Sequence, residues 1–375
     1  MTNHRGFMKL HRLTRAIGRV ALHILYLLLY LLRIVKRNES YSLTLDTEAD
    51  SAVRIGGTRK YRTERLFIID DDPGMYWDAI WRGHYALPWL RLMDPDGGLE
   101  LIYALRDSNA RIVGVTTMMG VSATDVGIQC TKRILKILGM NDVLVLRGAS
   151  HPNQLGKETP AARFLIETIM DNPGKVHIIA TGPLTNIATA LMLEPRLPEY
   201  WGALHFATGE FRGALGVVSD LFLPSLLGIP DLNTNVDIKA TKYVLEHGGA
   251  FPIYPNEVMD DLIFTRADYE TIKNAKTKLS EFIAYELRVY NFLFTQLIPF
   301  GQGIVPHGVA PTALALDPTY KSKTIESAVI LKDFGHQGYA FVLSKDPKLP
   351  KHKIHIQLTD ATRERMHKTL LQRCI

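Results

Sequence analysis

The sequence predicts an α/β fold: an open, mainly parallel sheet with helices on both faces, preceded by an N-terminal hydrophobic helix. Two observations predict it. Short continuous apolar runs rich in β-branched residues recur along residues 65–375, and such runs read as strands buried on both faces. Between them lie segments whose apolar residues repeat at helical spacing, and this alternation implies a parallel sheet covered on each side.

The elements follow in order. Residues 20–32 read VALHILYLLLYLL, with Arg12, Arg15 and Arg19 before and Arg33, Lys36 and Arg37 after. This apolar core is shorter than the roughly 20 residues that span a bilayer. Extended over residues 16–35, it reaches that length by placing Arg19 and Arg33 near its ends, where such side chains snorkel. The basic flank suits a cytoplasmic N-terminus. A signal anchor that tethers the protein to a membrane is the favoured reading of residues 1–37. Three alternatives stay open. A cleaved, secretory signal peptide fits the charged start, although no small-x-small site follows. A mitochondrial presequence fits the acid-free, Arg-rich character of residues 1–38. An interfacial helix fits the stripe of Arg12, Arg15, Arg19, His23, Tyr26, Tyr30, Arg33 and Arg37. Residues 38–64 are polar, carry Gly56-Gly57 and read as a linker; Asn38-Glu39-Ser40 is a glycosylation sequon close to the apolar segment.

Residues 65–375 read as a single domain. Residues 66–74, LFIIDDDPG, give an apolar run, three carboxylates and a Pro-Gly turn, so the acids fall at the end of a buried strand. Strands are expected over 111–117 (RIVGVTT) and 143–146, with a helix over 124–138 between them. A further buried strand over 176–181 (VHIIAT) precedes a helix over 186–193. Short strands follow at 205–208 and 251–254, and helices at 238–247 and 279–297. Late strands over 339–343 and 353–358, with antiparallel pairing open at that edge, precede a terminal amphipathic helix.

Composition narrows the function classes. The 375 residues are 46% hydrophobic and 22% charged, with a net charge of +6. The basic excess is concentrated before residue 39, so the rest of the chain gives no case for a nucleic-acid surface. Cys130 and Cys374 give neither a zinc spacing nor a disulfide framework.

The chemistry gathers at the acids. In open α/β sheets ligands bind beyond the carboxyl ends of the strands. Three carboxylates on one loop repel each other unless a cation or shared protons hold them, and an oxygen-rich acidic loop seats Ca²⁺ or Mg²⁺. Asp70 and Asp72 alternate along an extended segment, so both can face the same side. The plainer alternative is an acidic, solvated turn that caps the next helix.

IIDDDPG, followed by TGPLTNIA at residues 181–188, resembles the nucleoside hydrolases of the inosine-uridine-preferring type. RIVGVTTMMG at 111–120, DLNTNVDIKA at 231–240 and HGVAPTALALDP at 307–318 resemble further segments of that family in order and spacing. The resemblance covers most of residues 65–320 and implies a Rossmann-like core. It also implies a Ca²⁺-dependent N-ribohydrolase that acts on a small nucleoside or ribosyl ligand, commonly as a homo-oligomer. In that family an Asp takes a proton from a metal-bound water, which attacks the anomeric carbon through an oxocarbenium-like transition state. Asp72 matches the family's base and metal ligand, and Asp70 its partner in the loop. Thr181 matches the position whose backbone carbonyl completes the coordination shell. Asn233 matches a residue that hydrogen-bonds the ribose, and Asp231 replaces a Glu near the sugar. His307 matches a histidine near the leaving base; as a lone His before a helix it stands equally well as structural.

Four departures accompany these matches. After Pro73-Gly74 the family places an acid pair, whereas here MYWDAIWRGHY follows. Either one inserted residue puts Asp78 on the second acid, or a longer insertion over 75–95 puts Asp96 and Gly97 on the pair. The second alignment keeps the spacing from helix to strand and is preferred. Gly308 stands where the family has an Asp that binds both metal and ribose. Val121 replaces an Asn, and ATGEFRG at 207–213 replaces a run of glycines. The inserted loop offers Asp78 and Asp94 as substitutes, and its Tyr76, Trp77, Trp81 and Tyr85 either roof a base pocket or pack the insertion onto the domain. Two other functions follow from these losses. One is a non-catalytic, membrane-tethered ribosyl-ligand binder or scaffold. The other is a Mg²⁺-dependent phosphatase with Asp70 as nucleophile and Asp72 as acid, which leaves TGPLTNIA unexplained.

Overall fold

The computed structural model describes residues 64–75, 95–211, 231–292, 295, 303–335 and 338–375. The N-terminal apolar segment, the linker up to residue 63, and Asp78, Asp94 and the aromatics of the inserted loop lie outside them. Among the described residues no helix is long and apolar enough to cross a membrane.

Strand β1 (Leu66–Asp71) is buried along its whole length. Its side chains alternate between two cores: Phe67 and Ile69 enter one, Leu66 and Ile68 the other. A strand with apolar residues at successive positions has to be covered on both faces, because neighbouring side chains point oppositely. Each such fully buried residue contributes about 1.5–3 kcal/mol. Strands β2 (Arg111–Thr117) and β3 (Leu144–Arg147) lie to one side of β1, and β4 (Val176–Ala180), β5 (Ala203–Phe206) and β6 (Pro252–Ile253) to the other, all parallel. The order 3-2-1-4-5-6 turns back on itself at β1 and β4, and such a switch point opens a crevice at the strand ends.

Beyond β6 the sheet continues through β9 (His352–Leu358), β7 (Ser322–Asp333) and β8 (Tyr339–Ser344). β9 is parallel to β6, and β7 is antiparallel to both β9 and β8. The two late strands expected from the sequence are therefore joined by a third that the sequence reading lacks. β7 is mostly exposed at its ends and buries only Ala328 and Val329 at its centre, so it shows no continuous apolar run.

The helices begin with α1 (Pro95–Leu105), α2 (Thr124–Leu138) and α3 (Pro160–Asp171), followed by α4 (Thr185–Leu193), α5 (Leu197–Tyr200) and α6 (Leu232–Val236). Then come α7 (Ile238–His247), α8 (Asn256–Met259), α9 (Arg266–Ala275), α10 (Lys278–Phe292), α11 (Val309–Leu316) and α12 (Asp360–Cys374). α1, α2 and α9–α12 cover the face that holds Phe67 and Ile69, and α3, α4 and α7 the face that holds Leu66 and Ile68. α2 and α7 match their sequence expectations residue for residue. Gly139 ends α2 in the left-handed conformation, with its N–H returned to Leu135 and Lys136. Asp237 caps α7 by accepting from Ala240 N–H, and its other oxygen accepts from Thr185 at the start of α4.

Candidate active site

The three acids of β1 and its turn stand at the switch point. Asp70 pairs in register with Thr116 of β2 and Ala180 of β4, and its carbonyl accepts from the Thr181 and Gly182 N–H groups. The TGPLTN segment is thereby stitched to the acidic strand end. Alternation along the strand sends Asp70 and Asp71 to opposite faces. Asp70 turns toward α4, where it accepts from Asn186 Nδ2 at 2.9 Å, and from Thr116 Oγ1 at 2.5 Å. Asp71 turns toward α1, against Gly97.

Asn186 does more than bond Asp70. Its Oδ1 accepts from the Ala149 N–H at 2.9 Å, just beyond β3, and its Nδ2 also lies 3.4 Å from the Thr117 carbonyl of β2. One amide thus ties the ends of three strands together. Gly148 leaves room for it, since a Cβ there would stand 2.1 Å from Asn186 Oδ1.

Four carboxylates are gathered without a counter-charge. Asp70, Asp71, Asp72 and Glu100 are between 0 and 2% exposed, and none makes an ion pair among the described residues. Burial pushes Asp70 up to about 7, against the pull of its Asn186 and Thr116 bonds. Burial likewise lifts Asp72 to about 7, opposed by backbone N–H groups that include Ser122. Asp71 is raised well above the usual carboxylate range by burial and then by the charge of Glu100. Glu100 rises to about 8 through burial, opposed by its bond from Thr312 of α11 at 2.7 Å and by the nearby Thr181 hydroxyl. Such a group holds protons or gathers a cation, because its members cannot all ionise unaided.

Each of these carboxylates keeps one oxygen with no partner: Asp70 Oδ2, Asp71 Oδ2, Asp72 Oδ1 and Glu100 Oε2. Glycines leave the space they fill. A Cβ at Gly97 would stand 2.5 Å from Asp71 Oδ2, one at Gly120 2.8 Å from Asp72 Oδ1, and one at Gly308 2.1 Å from Glu100 Oε2. Buried carboxylate oxygens without partners are the donors a hard divalent cation takes. Among the described residues no three Asp, Glu, His or Cys side chains close on one point as they stand, so a bound ion has to draw these oxygens together.

The remaining sequence-predicted residues fall into distinct places. Asp96 opens α1 and acts electrostatically on Asp71, Asp72 and Glu100. It also meets His307, whose Nδ1 lies 3.4 Å from Asp96 Oδ2 and whose Nε2 lies 3.0 Å from Asp260 Oδ1. Burial depresses His307, but the Asp260 and Asp96 carboxylates overcome it and raise the imidazole to about 10. The two carboxylates thus favour the protonated imidazole. The Thr181 carbonyl, expected to face a metal, accepts from Asn233 Nδ2, which places Asn233 against the backbone at the site. Asp231, expected near the sugar, caps α6 by accepting from Thr234 N–H at 2.7 Å and also accepts from Thr208 at 3.1 Å. Both bonds fall on Oδ2.

Sequence reasoning did not single out Glu100, Asn186 or Asp260, and it treated Asp71 only as the residue between two others. A signal existed for Glu100: it is the one acid among Leu99, Leu101 and Ile102 in a helix otherwise built for burial. Asn186 stood inside the TGPLTN string without a role of its own.

Comparison with known proteins agrees with this architecture. A profile of the inosine-uridine preferring nucleoside hydrolases matches residues 92–368. A probable uridine nucleosidase 1 of Oryza sativa subsp. japonica is 22% identical over 292 residues, covering 71% of this chain and 81% of that protein. Among solved structures, a plant nucleoside hydrolase superposes with a TM-score of 0.66 at 19% identity, over 83% of this chain and 99% of the other. A purine-preferring ribonucleoside hydrolase from Gardnerella vaginalis gives 0.66 at 18% identity, over 83% and 98%. With the strand order, the acidic strand end and the matched span in hand, the chain belongs to the inosine-uridine preferring nucleoside hydrolase family.

Proposed function

We propose that this protein hydrolyses the N-glycosidic bond of a ribonucleoside or related ribosyl compound. The observation that carries the reading is Asp72: a buried carboxylate at the switch point whose Oδ1 has no partner. Asp72 would take the proton of an attacking water as general base. Asp70, Asp72, Asp96 and the Thr181 carbonyl would hold a Ca²⁺ ion, after Asn233 gives up its bond to that carbonyl. The ion, when bound, would acidify the water and orient the ribose diol. Asp71 and Glu100 add negative potential beneath a sugar that becomes cationic in the transition state. His307, charged between Asp96 and Asp260, is positioned to give a proton to the departing base.

The uridine nucleosidase relative favours a pyrimidine nucleoside among the substrates to try first. The apolar, basic-flanked residues 16–35 support a membrane tether for the same chain. The test is to incubate the full chain with a panel of nucleosides and calcium, beside Asp72→Asn. Base release that Asp72→Asn and chelation both abolish is expected. No release above the Asp72→Asn background refutes hydrolysis. Nucleoside binding without turnover would instead favour the non-catalytic reading, for which the occupied Thr181 carbonyl speaks.

A further inference from the structure

We propose that Glu100 is a cation-holding carboxylate of this site, one whose place in the cluster depends on Gly308. The inference rests on the hydrolytic reading for the reason a cation is wanted, but its grounds are geometric.

Glu100 lies in α1 between Leu99 and Leu101, which are fully buried. A position that served packing alone would carry an apolar side chain, since a buried carboxylate without a counter-ion is costly. The side chain is also aimed. Thr312 of α11 donates to Oε1 at 2.7 Å, which fixes the carboxylate plane and leaves Oε2 without a partner. That free oxygen fills the space in front of residue 308: a Cβ there would stand 2.1 Å from Oε2 and 2.9 Å from Cδ. Position 308 therefore cannot present an acid of its own while Glu100 is in place, and Glu100 presents one from the neighbouring helix instead.

The same exchange recurs one turn earlier in α1. A Cβ at Gly97 would meet Asp71 Oδ2 at 2.5 Å, so Asp71 fills the space that a side chain at 97 would need. Two positions that lack a carboxylate are each faced by one from elsewhere in the chain. The two incoming acids belong to one electrostatic group, because Glu100 is the largest charge acting on Asp71. Asp96 and Asp72 act on Glu100 in turn. The ligand class is a hard divalent cation, since every donor offered is a carboxylate oxygen.

The experiment titrates calcium into the metal-stripped full chain by calorimetry, and records the calcium-induced rise in melting temperature. It compares wild type, Glu100→Gln, Glu100→Ala, Gly308→Asp and the double variant Glu100→Ala with Gly308→Asp. Gln keeps the shape and the Thr312 bond while removing the charge. Glu100→Gln is expected to weaken calcium binding by about tenfold or more, with a metal-free melting temperature equal to or above that of wild type. Gly308→Asp alone is expected to weaken binding, because two carboxylates then compete for one space. The double variant is expected to bind more tightly than Glu100→Ala. Calcium affinity unchanged in Glu100→Gln overturns the proposal, as does a double variant no tighter than Glu100→Ala. Base release measured on the same samples separates this idea from the hydrolytic reading. If Glu100→Gln keeps wild-type affinity and turnover while Asp72→Asn loses turnover, only the Glu100 assignment fails. If wild type binds calcium through Glu100 but releases no base, only the hydrolytic reading fails. If wild type binds no calcium, the proposal is overturned whatever the turnover.

Discussion

Replacing Asn186 by alanine removes the amide that ties three strand ends together. Two of its bonds are short and buried: the donation to Asp70 Oδ1 and the acceptance from Ala149 N–H, both at 2.9 Å. A lost bond to a charged or half-charged carboxylate costs about 1.5–3 kcal/mol, and a stranded backbone N–H about 1–3 kcal/mol. Water entering the vacated space recovers part of this, so a loss of about 3–5 kcal/mol is the reasoned value. With an unfolding entropy near 2.1 cal/mol/K per residue, the roughly 260 described residues convert that loss into a fall of about 5–9 °C in melting temperature.

Asn186→Asp tests the electrostatic half of the same argument. Two full charges at this separation repel by about 6 kcal/mol at an effective dielectric constant of 20, so one of the pair must stay protonated. The destabilisation of Asn186→Asp should therefore grow as pH rises from about 5 to 8, while that of Asn186→Ala stays nearly level. Thermal melts of the full chain at both pH values, followed by far-UV circular dichroism, decide the matter. A melting temperature for Asn186→Ala within about 2 °C of wild type would refute the strand-tying role. Equal pH sensitivity in the two variants would refute the electrostatic one.

Other expectations concern regions away from this amide. His205, His352 and His355 are buried and His177 is half-buried; burial depresses His205 to about 3 and the other three to about 4. Because the unfolded state protonates first, their contribution is complete above about pH 6.5 and is lost as pH falls through the folded values. Urea titrations at pH 7, 6 and 5 should show His205→Asn losing less stability on acidification than wild type, by about 1 kcal/mol per pH unit; parallel losses would remove the idea. Asp260→Asn should drop the His307 pKa from about 10 toward the ordinary histidine range, as read by ring-proton NMR titration, and an unmoved titration would show that Asp260 is not its main partner. Gly209 has φ +87°, and a Cβ there would stand 2.0 Å from the Phe341 ring. Gly209→Ala should therefore cost about 2–4 kcal/mol in chemical denaturation, and a neutral result would mean that β8 can shift away.

Much of this architecture was legible in the chain. The runs that became β1, β2 and β4 are apolar at successive positions, and that pattern survives only in a strand covered on both faces. α2 and α7 stood out because their apolar faces and end signals agree. β7 was not legible because its ends lie in solvent and its partners, not its sequence, hold it in the sheet. At the site, Asp70 and Asp72 could be read from their spacing, and Asp96 from the distance between helix and strand. The capping bond of Asp231 to Thr234 and the Asn233 bond to Thr181 could not be read, because both depend on a fold that no local string specifies. Glu100 was hidden for a related reason: its meaning lies in the absence of a side chain at position 308, more than 200 residues away.

The opposite orientations of Asp70 and Asp71 carry a consequence for how the molecule comes apart. Asp70 is moored to α4 in one layer, while Asp71 faces α1 in the other. A single ion held between Asp70, moored to α4, and Asp96 of α1 would act as a rivet at the strand ends. Loading would then link the two helical layers at the strand ends, so that calorimetric sharpness, and not merely midpoint, would report occupancy.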